Sequence, residues 1–552
     1  MTTTSRAGEP AADGPPRARA DPEPASKAVP PFAIRPVLAT AAVTAVILLV
    51  RAGRYDYFGD ELYFLSAGRR PAFGYVDQGP LLPLLARGAD ALAPDSLVVL
   101  RLPAILATVA AIIVTAALAR EFGGRRGAQT LAALAYATCP YLITQAATLS
   151  TFAFDTTLAA AVIWLLVRWN RIRDDRLLPA AAAVAAVDVQ VKLLVPVLLA
   201  GLGLGVLCCG PRELLRRPAL WAGLLLVAVA ALPDVLWQAR HGWPQVAMGG
   251  VIRAEQQAAT GGVAGLPLQV ILLVGLLGGL LALAGLWVLG GAAVRRTRFT
   301  GATGPFDTPA ATERLGAAAL RPYGFLAVAV LCQVGFVVAT GTRPYYLTAL
   351  FPVVFAAGAV WVLERETRWP RVAAPVVCAL SAAIVLTVVF ALPRPHTALR
   401  EPTESQSRLS TRMRTFGTSG WDRLADAART AHRGLPPEQR ERAVLVTQTY
   451  WQAGALDRPS ADLPPVYSPN RGFAYLGTPP ETATTVLYVA AEAAEPLLRR
   501  TFSAVRPAVR LDDPLGFPGI DRGLVVWYCD GPRESWAALW PRLTTTVLDA
   551  GI

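Results

Sequence analysis

Apolar runs of bilayer length recur along this 552-residue chain, and they constrain its fold more than any other feature. A helix of about 20 apolar residues crosses the hydrocarbon core, because it satisfies its own backbone hydrogen bonds where no water can. Such runs lie at roughly 34–52, 97–119, 130–147, 155–168, 177–191, 193–210, 218–237, 267–293, 322–340, 345–363 and 372–392. With 54% hydrophobic and 16% charged residues, a single soluble domain is excluded. The expectation is a polytopic α-helical membrane protein of about 11 spans.

The net charge of +13 would suit a nucleic-acid binder, but the arginines sit in short loops between apolar runs rather than on one helix face. Alternate loops carry Arg120, Arg125 and Arg126; Arg168, Arg171, Arg173 and Arg176; Arg212, Arg216 and Arg217; Arg295, Arg296 and Arg298; Arg365, Arg368 and Arg371. The positive-inside rule assigns all of these to the cytoplasm, so the partner is the plasma membrane and no nucleic acid is expected. An odd number of spans then puts the N-terminus in the cytoplasm and the C-terminus outside. The stretch 177–210 is read as two short helices around Lys192, since one long helix would invert every later loop.

Six scattered cysteines form neither a disulfide framework nor a CxxC zinc pattern. With three histidines and no HExxH, a catalytic zinc site is not expected. Residues 1–32 read as a disordered cytoplasmic tail, rich in Pro, Ala, Arg and Asp and without a signal-peptide core. Residues 33–392 form the transmembrane domain. From residue 393 to 552 polar residues increase, and strand-like runs at 443–447, 485–489 and 524–528 alternate with helical patterns such as that around Trp421. This composition predicts an extracytoplasmic α/β domain.

The outward loops gather ionisable residues near one membrane face: Asp60 and Glu61 after the first span, Asp77 later in that loop, Asp155 at the head of the fourth span, Lys192 and Arg343. Charge in or beside a bilayer has a partner or a task. Each residue also has a plainer reading. Asp60 and Asp155 could cap helices. Adjacent residues on a helix point to different faces, which argues against Asp60 and Glu61 acting as a dyad. Lys192 follows Asp188 by four residues, which suits a helical ion pair as well as a phosphate contact. Arg343 runs against the positive-inside trend, so an anionic headgroup is the better explanation. Gly201, Gly203 and Gly205 follow no strand and precede no Lys-Ser/Thr, so they mark close helix packing rather than a nucleotide loop.

Taken in order, these positions resemble the GT-C class of polyprenyl-phosphate-sugar glycosyltransferases. The likeness is to glycosyltransferase family 39, with its protein O-mannosyltransferases and aminoarabinose transferases. The resemblance rests on Gly59-Asp60-Glu61-Leu62-Tyr63, Asp77-Gln78-Gly79-Pro80-Leu81, Phe154-Asp155-Thr156, Lys192 and Gly341-Thr342-Arg343-Pro344-Tyr345-Tyr346-Leu347. It extends to Leu236–Pro244, to Tyr450–Leu456 and to Pro465-Val466-Tyr467-Ser468. Gln78 and Gly79 stand where the family motif has a basic residue and a proline.

The resemblance implies inverting transfer of a hexose or pentose from a polyprenyl-phosphate-linked donor to an extracytoplasmic glycan, lipid or protein acceptor. It implies Asp60 as base, Asp155 orienting the acceptor or supporting Asp60, and Glu61 in a structural or supporting role behind them. Arg343, Lys192, Tyr345 and Tyr346 would hold the phosphate, with Asp77 on the substrate-binding loop. A monophosphate leaving group does not demand a metal; no cofactor is predicted, and a divalent ion is left open. Such a site requires the outer tips of spans one, four, six and ten to meet. The alternative function is a polytopic transporter or lipid flippase, whose charges would line a path.

Overall fold

In the computed structural model the described residues are 2, 29–298, 319–364, 369–389, 412–413 and 418–547. Most of the expected N-terminal tail, and the start of the C-terminal domain, lie outside them. Among the described residues eight helices are long and apolar enough to cross a membrane: Ile34–Ala52, Leu97–Glu121, Thr151–Ile172, Pro218–Arg240, Gly262–Arg295, Arg321–Thr340, Pro344–Leu363 and Trp369–Thr387. The other three predicted spans are shorter or broken. Leu177–Val189 and Val195–Cys209 are short apolar helices flanking the turn that carries Lys192. The run at 130–147 is interrupted, with helices Arg126–Ala137 and Pro140–Gln145 on either side of Cys139. Pro140 ends the first helix, because the residue before a proline is driven out of helical geometry. It packs against Gly275, whose φ of 73° bends the neighbouring long helix and suits glycine.

The arginine-bearing loops gather at one end of the bundle. Arg168 and Arg171 pair with Glu121, Arg217 with Asp175, Arg173 with Glu213 and Arg125 with Glu364. Gly201 and Gly205 lie against Ala329 and Phe325 of the Arg321–Thr340 helix, so they serve close helix packing.

The opposite end carries the candidate site and a five-stranded sheet ordered β2-β1-β3-β5-β4, with β1 (Val444–Thr447), β2 (Val466–Tyr467), β3 (Thr485–Ala491), β4 (Phe502–Leu511) and β5 (Leu524–Pro532). Strand β1 runs parallel to β2 and β3, while β5 is antiparallel to β3 and β4. Side chains alternate across the sheet as the period of two requires. Leu445, Leu487, Val489, Leu524 and Val526 join a core with Tyr57, Leu62, Tyr63 and Leu100 of the bundle's loops and helix ends. Val446, Val486, Trp527 and Cys529 join a second core with Trp536 and Trp540. Three strands match the predicted runs. The short β2 and the edge strand β4, bulged at Pro507, were not expected: an edge strand that alternates Arg with small residues and holds a proline has the composition of a loop.

Candidate active site

Asp60 and Glu61 open the short helix Gly59–Arg69, and their environments separate their roles. Glu61 is fully buried and all its acceptor capacity is taken. It receives Arg101 Nη2 at 2.7 Å and Nε at 2.9 Å, the Leu149 amide at 2.8 Å and the Phe58 amide at 2.9 Å. The remaining Arg101 donors meet the carbonyls of Ala52, Tyr55 and Asp56. The helix is therefore capped by Glu61, not by Asp60, and no Glu61 oxygen is left over for a substrate.

Asp60 points the other way. Its Oδ1 accepts hydrogen bonds from the Tyr450 hydroxyl at 2.7 Å and Trp451 Nε1 at 3.0 Å, both from helix Tyr450–Leu456 beside the sheet. Among the described residues none donates a hydrogen bond to Oδ2. Gly59 has to be glycine, because a Cβ would overlap the Trp451 indole. Burial raises the Asp60 carboxyl above its ordinary pKa, against the lowering effect of the two hydrogen bonds.

The loop bearing Asp77 is locked to the turn bearing Lys192. The Gly79 amide donates to the Val191 carbonyl at 3.1 Å and the Leu81 amide to the Gln190 carbonyl at 3.0 Å. A Cβ on Gly79 would overlap the Gln190 carbonyl. Proline at 79 would lose that amide bond and collide, which accounts for the departure from the family motif. Gln238, in the Leu236–Pro244 stretch, braces the loop from behind by donating to the Tyr75 carbonyl at 2.7 Å. Asp77 thereby lies within electrostatic range of Asp60, Lys192 and Arg471.

Lys192 does not pair with Asp188. Its ammonium sits 4.7 Å from the Phe152 ring centre and 4.8 Å from that of Tyr346, a cation–π seat. Asp155 is not a helix cap, since its helix begins four residues earlier at Thr151 with Ser150 as the cap. It lies buried, with Lys192 as its electrostatic partner, beside Asp188, Gln333 and Tyr346 around a cavity of about 10 Å³, room for one water. Within the described residues the charge that acts on Asp155 is that of Lys192.

Tyr345 stacks on Tyr141 at 5.4 Å and meets Phe152 edge-on at 4.7 Å, within electrostatic range of Asp60, Lys192 and Arg343. Arg343 donates to Glu255 Oε2 at 2.8 Å, and Arg471 donates to Glu255 Oε1 at 2.6 Å. The tips of the required helices therefore converge on one face, where the residues around Tyr345 join acid to base. Sequence reading had no means of selecting Tyr141, Phe152, Glu255 or Arg471. The Tyr450–Leu456 resemblance was a signal, but not one that assigned Tyr450 and Trp451 to Asp60. Among the described residues no cluster of three or more His, Cys, Asp or Glu side chains could hold a metal ion.

The bundle of membrane-length helices with its α/β sheet follows a fold already seen in solved proteins. ArnT from Cupriavidus metallidurans in the apo state is similar with a TM-score of 0.57 at 15% identity, over 89% of this chain and 97% of that one. The same protein bound to undecaprenyl phosphate gives a TM-score of 0.53 at 16% identity, over 89% and 97%. A family model described as dolichyl-phosphate-mannose-protein mannosyltransferase matches residues 77–237, which include Asp77, Asp155 and Lys192. No curated protein matches the chain by sequence.

Proposed function

We propose that the protein transfers a sugar from a polyprenyl-phosphate-linked donor to a hydroxyl acceptor on the extracytoplasmic side, with inversion at the anomeric carbon. One observation carries the reading: Asp60, with one carboxylate oxygen unbonded among the described residues, lies with Lys192 and Arg343 within electrostatic range of Tyr345. An acid and two cations gathered around one tyrosine are what such a transfer needs. The acceptor hydroxyl must lose its proton as it attacks, and Asp60 Oδ2 is placed to take it. The leaving phosphate develops negative charge, and the two cations stabilise it through charge-assisted hydrogen bonds. The tyrosine hydroxyls add donors, and Asp77 steers the loop that shapes the sugar pocket. Asp155 keeps Lys192 in place, and Glu61 keeps the helix start rigid.

The likeness in fold to a protein solved with undecaprenyl phosphate supports a lipid-phosphate donor. The arginine loops lie at the end of the bundle away from the sheet, as they would if the sheet domain were extracytoplasmic and the N-terminus cytoplasmic. The prenyl chain would lie along the bundle and the acceptor would enter between bundle and sheet. A monophosphate leaving group does not itself demand a metal, and a divalent ion stays open.

The test is transfer from a polyprenyl-phosphate-linked sugar in a reconstituted membrane. Asp60→Asn is expected to lower turnover by roughly 100-fold or more while polyprenyl phosphate still binds. Parental turnover in that variant removes Asp60 as the base, and absence of transfer from every lipid-phosphate sugar offered to the parental protein removes the reaction.

A further inference from the structure

Arg343, from the turn before the Pro344–Leu363 helix, and Arg471, from the sheet domain, share one carboxylate. Glu255 on helix Pro244–Thr260 reaches Arg343 with Oε2 at 2.8 Å and Arg471 with Oε1 at 2.6 Å. Two guanidinium groups bridged by the two oxygens of one acid form a fork that fits a phosphate group equally well. The fork is built rather than incidental. Arg471 has a φ of 48°, its amide donates to the Thr545 carbonyl at 2.7 Å and its Nε donates to the Thr546 carbonyl at 3.1 Å, so its head is aimed by the backbone. The Arg471 head also lies 5.9 Å from the ring centre of Tyr450, the residue that holds Asp60.

We infer that Glu255 is a displaceable stand-in for the donor phosphate, and that Arg471 is a second donor-binding arginine contributed by the sheet domain. The inference rests on the proposed lipid-phosphate donor. Charge supports the exchange. The donor is a phosphodiester with a single negative charge, equal to that of the carboxylate it replaces, so the fork is neutralised to the same extent before and after. The released polyprenyl phosphate is a monoester carrying between one and two charges, and two guanidinium groups would retain it. A carboxylate poised on the adjacent helix competes for the same fork and returns it to the starting state. Exposed Arg253, whose stem lies against Gly341, adds positive charge beside the turn that carries Arg343.

The test measures saturable binding of undecaprenyl phosphate to the full chain in nanodiscs, together with steady-state transfer. Glu255→Gln removes the competing charge, so binding should tighten by roughly tenfold while kcat and KM for the donor both fall, as expected when product leaves slowly. Arg471→Gln should weaken binding by roughly tenfold, with Arg471→Lys recovering part of it. Unchanged or weaker binding in Glu255→Gln overturns the stand-in role, and unchanged binding in Arg471→Gln overturns the second arginine. If the parental protein itself shows no saturable binding, the lipid-phosphate reading fails along with the inference. If the parental protein binds and both variants bind as it does, the inference alone fails.

Discussion

The Tyr450 hydroxyl donates a 2.7 Å hydrogen bond to Asp60 Oδ1 across 390 residues of sequence, joining the proposed base to the sheet domain. A base of this kind works when ionised, so turnover should fall as pH drops through the pKa of Asp60 in the folded protein. Burial raises that pKa, and the hydrogen bonds from Tyr450 and Trp451 lower it. Tyr450→Phe removes one lowering contact. Its acid limb should move to higher pH and its kcat should fall by roughly tenfold, with little change in KM for the donor. A limb that stays in place or moves to lower pH would show that Tyr450 does not tune the base.

Glu61 makes the contrasting prediction. Glu61→Gln leaves the Arg101 guanidinium, 3% exposed, without its counter-charge. Breaking a buried pair from one side costs about 3–5 kcal/mol, so this variant should melt far lower than Asp60→Asn. Equal melting temperatures for the two variants would contradict the division of labour between the neighbouring acids.

Gly79→Ala tests the lock between the Asp77 loop and the Lys192 turn. The added methyl meets the Gln190 carbonyl, so the loop must shift, at a cost of about 1–3 kcal/mol and with weakened donor binding. Gly88 has open space around it, and Gly88→Ala within helix Leu81–Leu92 should leave melting unchanged or slightly higher. Thermal melts of the pair decide the matter, since a general intolerance of substitution would lower both.

Asp457 ties the sheet domain to the bundle by accepting from Arg69 at 2.8 Å and Arg70 at 2.8 Å. Burial alone would raise its carboxyl, but the two arginines outweigh burial and hold it below the ordinary value. A folded pKa below the unfolded one means that the stabilisation is fully present above the unfolded value, about 3.9, and is lost as pH falls through the folded value. Melting temperature should therefore drop in that acid window in the parental protein. Asp457→Asn should melt lower at neutral pH and show a shallower drop there. An identical pH profile in both would show that the tie contributes no linked stability.

Much of the architecture can be read from the sequence, for a reason visible in particular segments. The break at Lys192 was legible because a single helix over 177–210 would have put every later arginine loop on the wrong side of the membrane. Strands β1, β3 and β5 were legible because their apolar runs are β-branched and short. The arginine loops were legible because charge at a bilayer edge is constrained wherever it occurs. By contrast, the capping by Glu61, the seat of Lys192 on Phe152 and Tyr346, and the bracing of the Asp77 loop by Gln238 carry no periodic signal.

Periodicity and composition determined that this chain crosses a membrane many times, carries an α/β domain after its last span and concentrates acid and base in the loops at one end. Those properties follow from local physics, since each helix or strand reads its own neighbourhood of residues against lipid or water. Only the tertiary structure decided which carboxylate faces the pocket and which is consumed by Arg101, and that Glu255 and Arg471 meet Arg343 from two distant segments. Such contacts depend on how separate elements pack, and a residue's partner hundreds of positions away leaves no trace in the sequence around it.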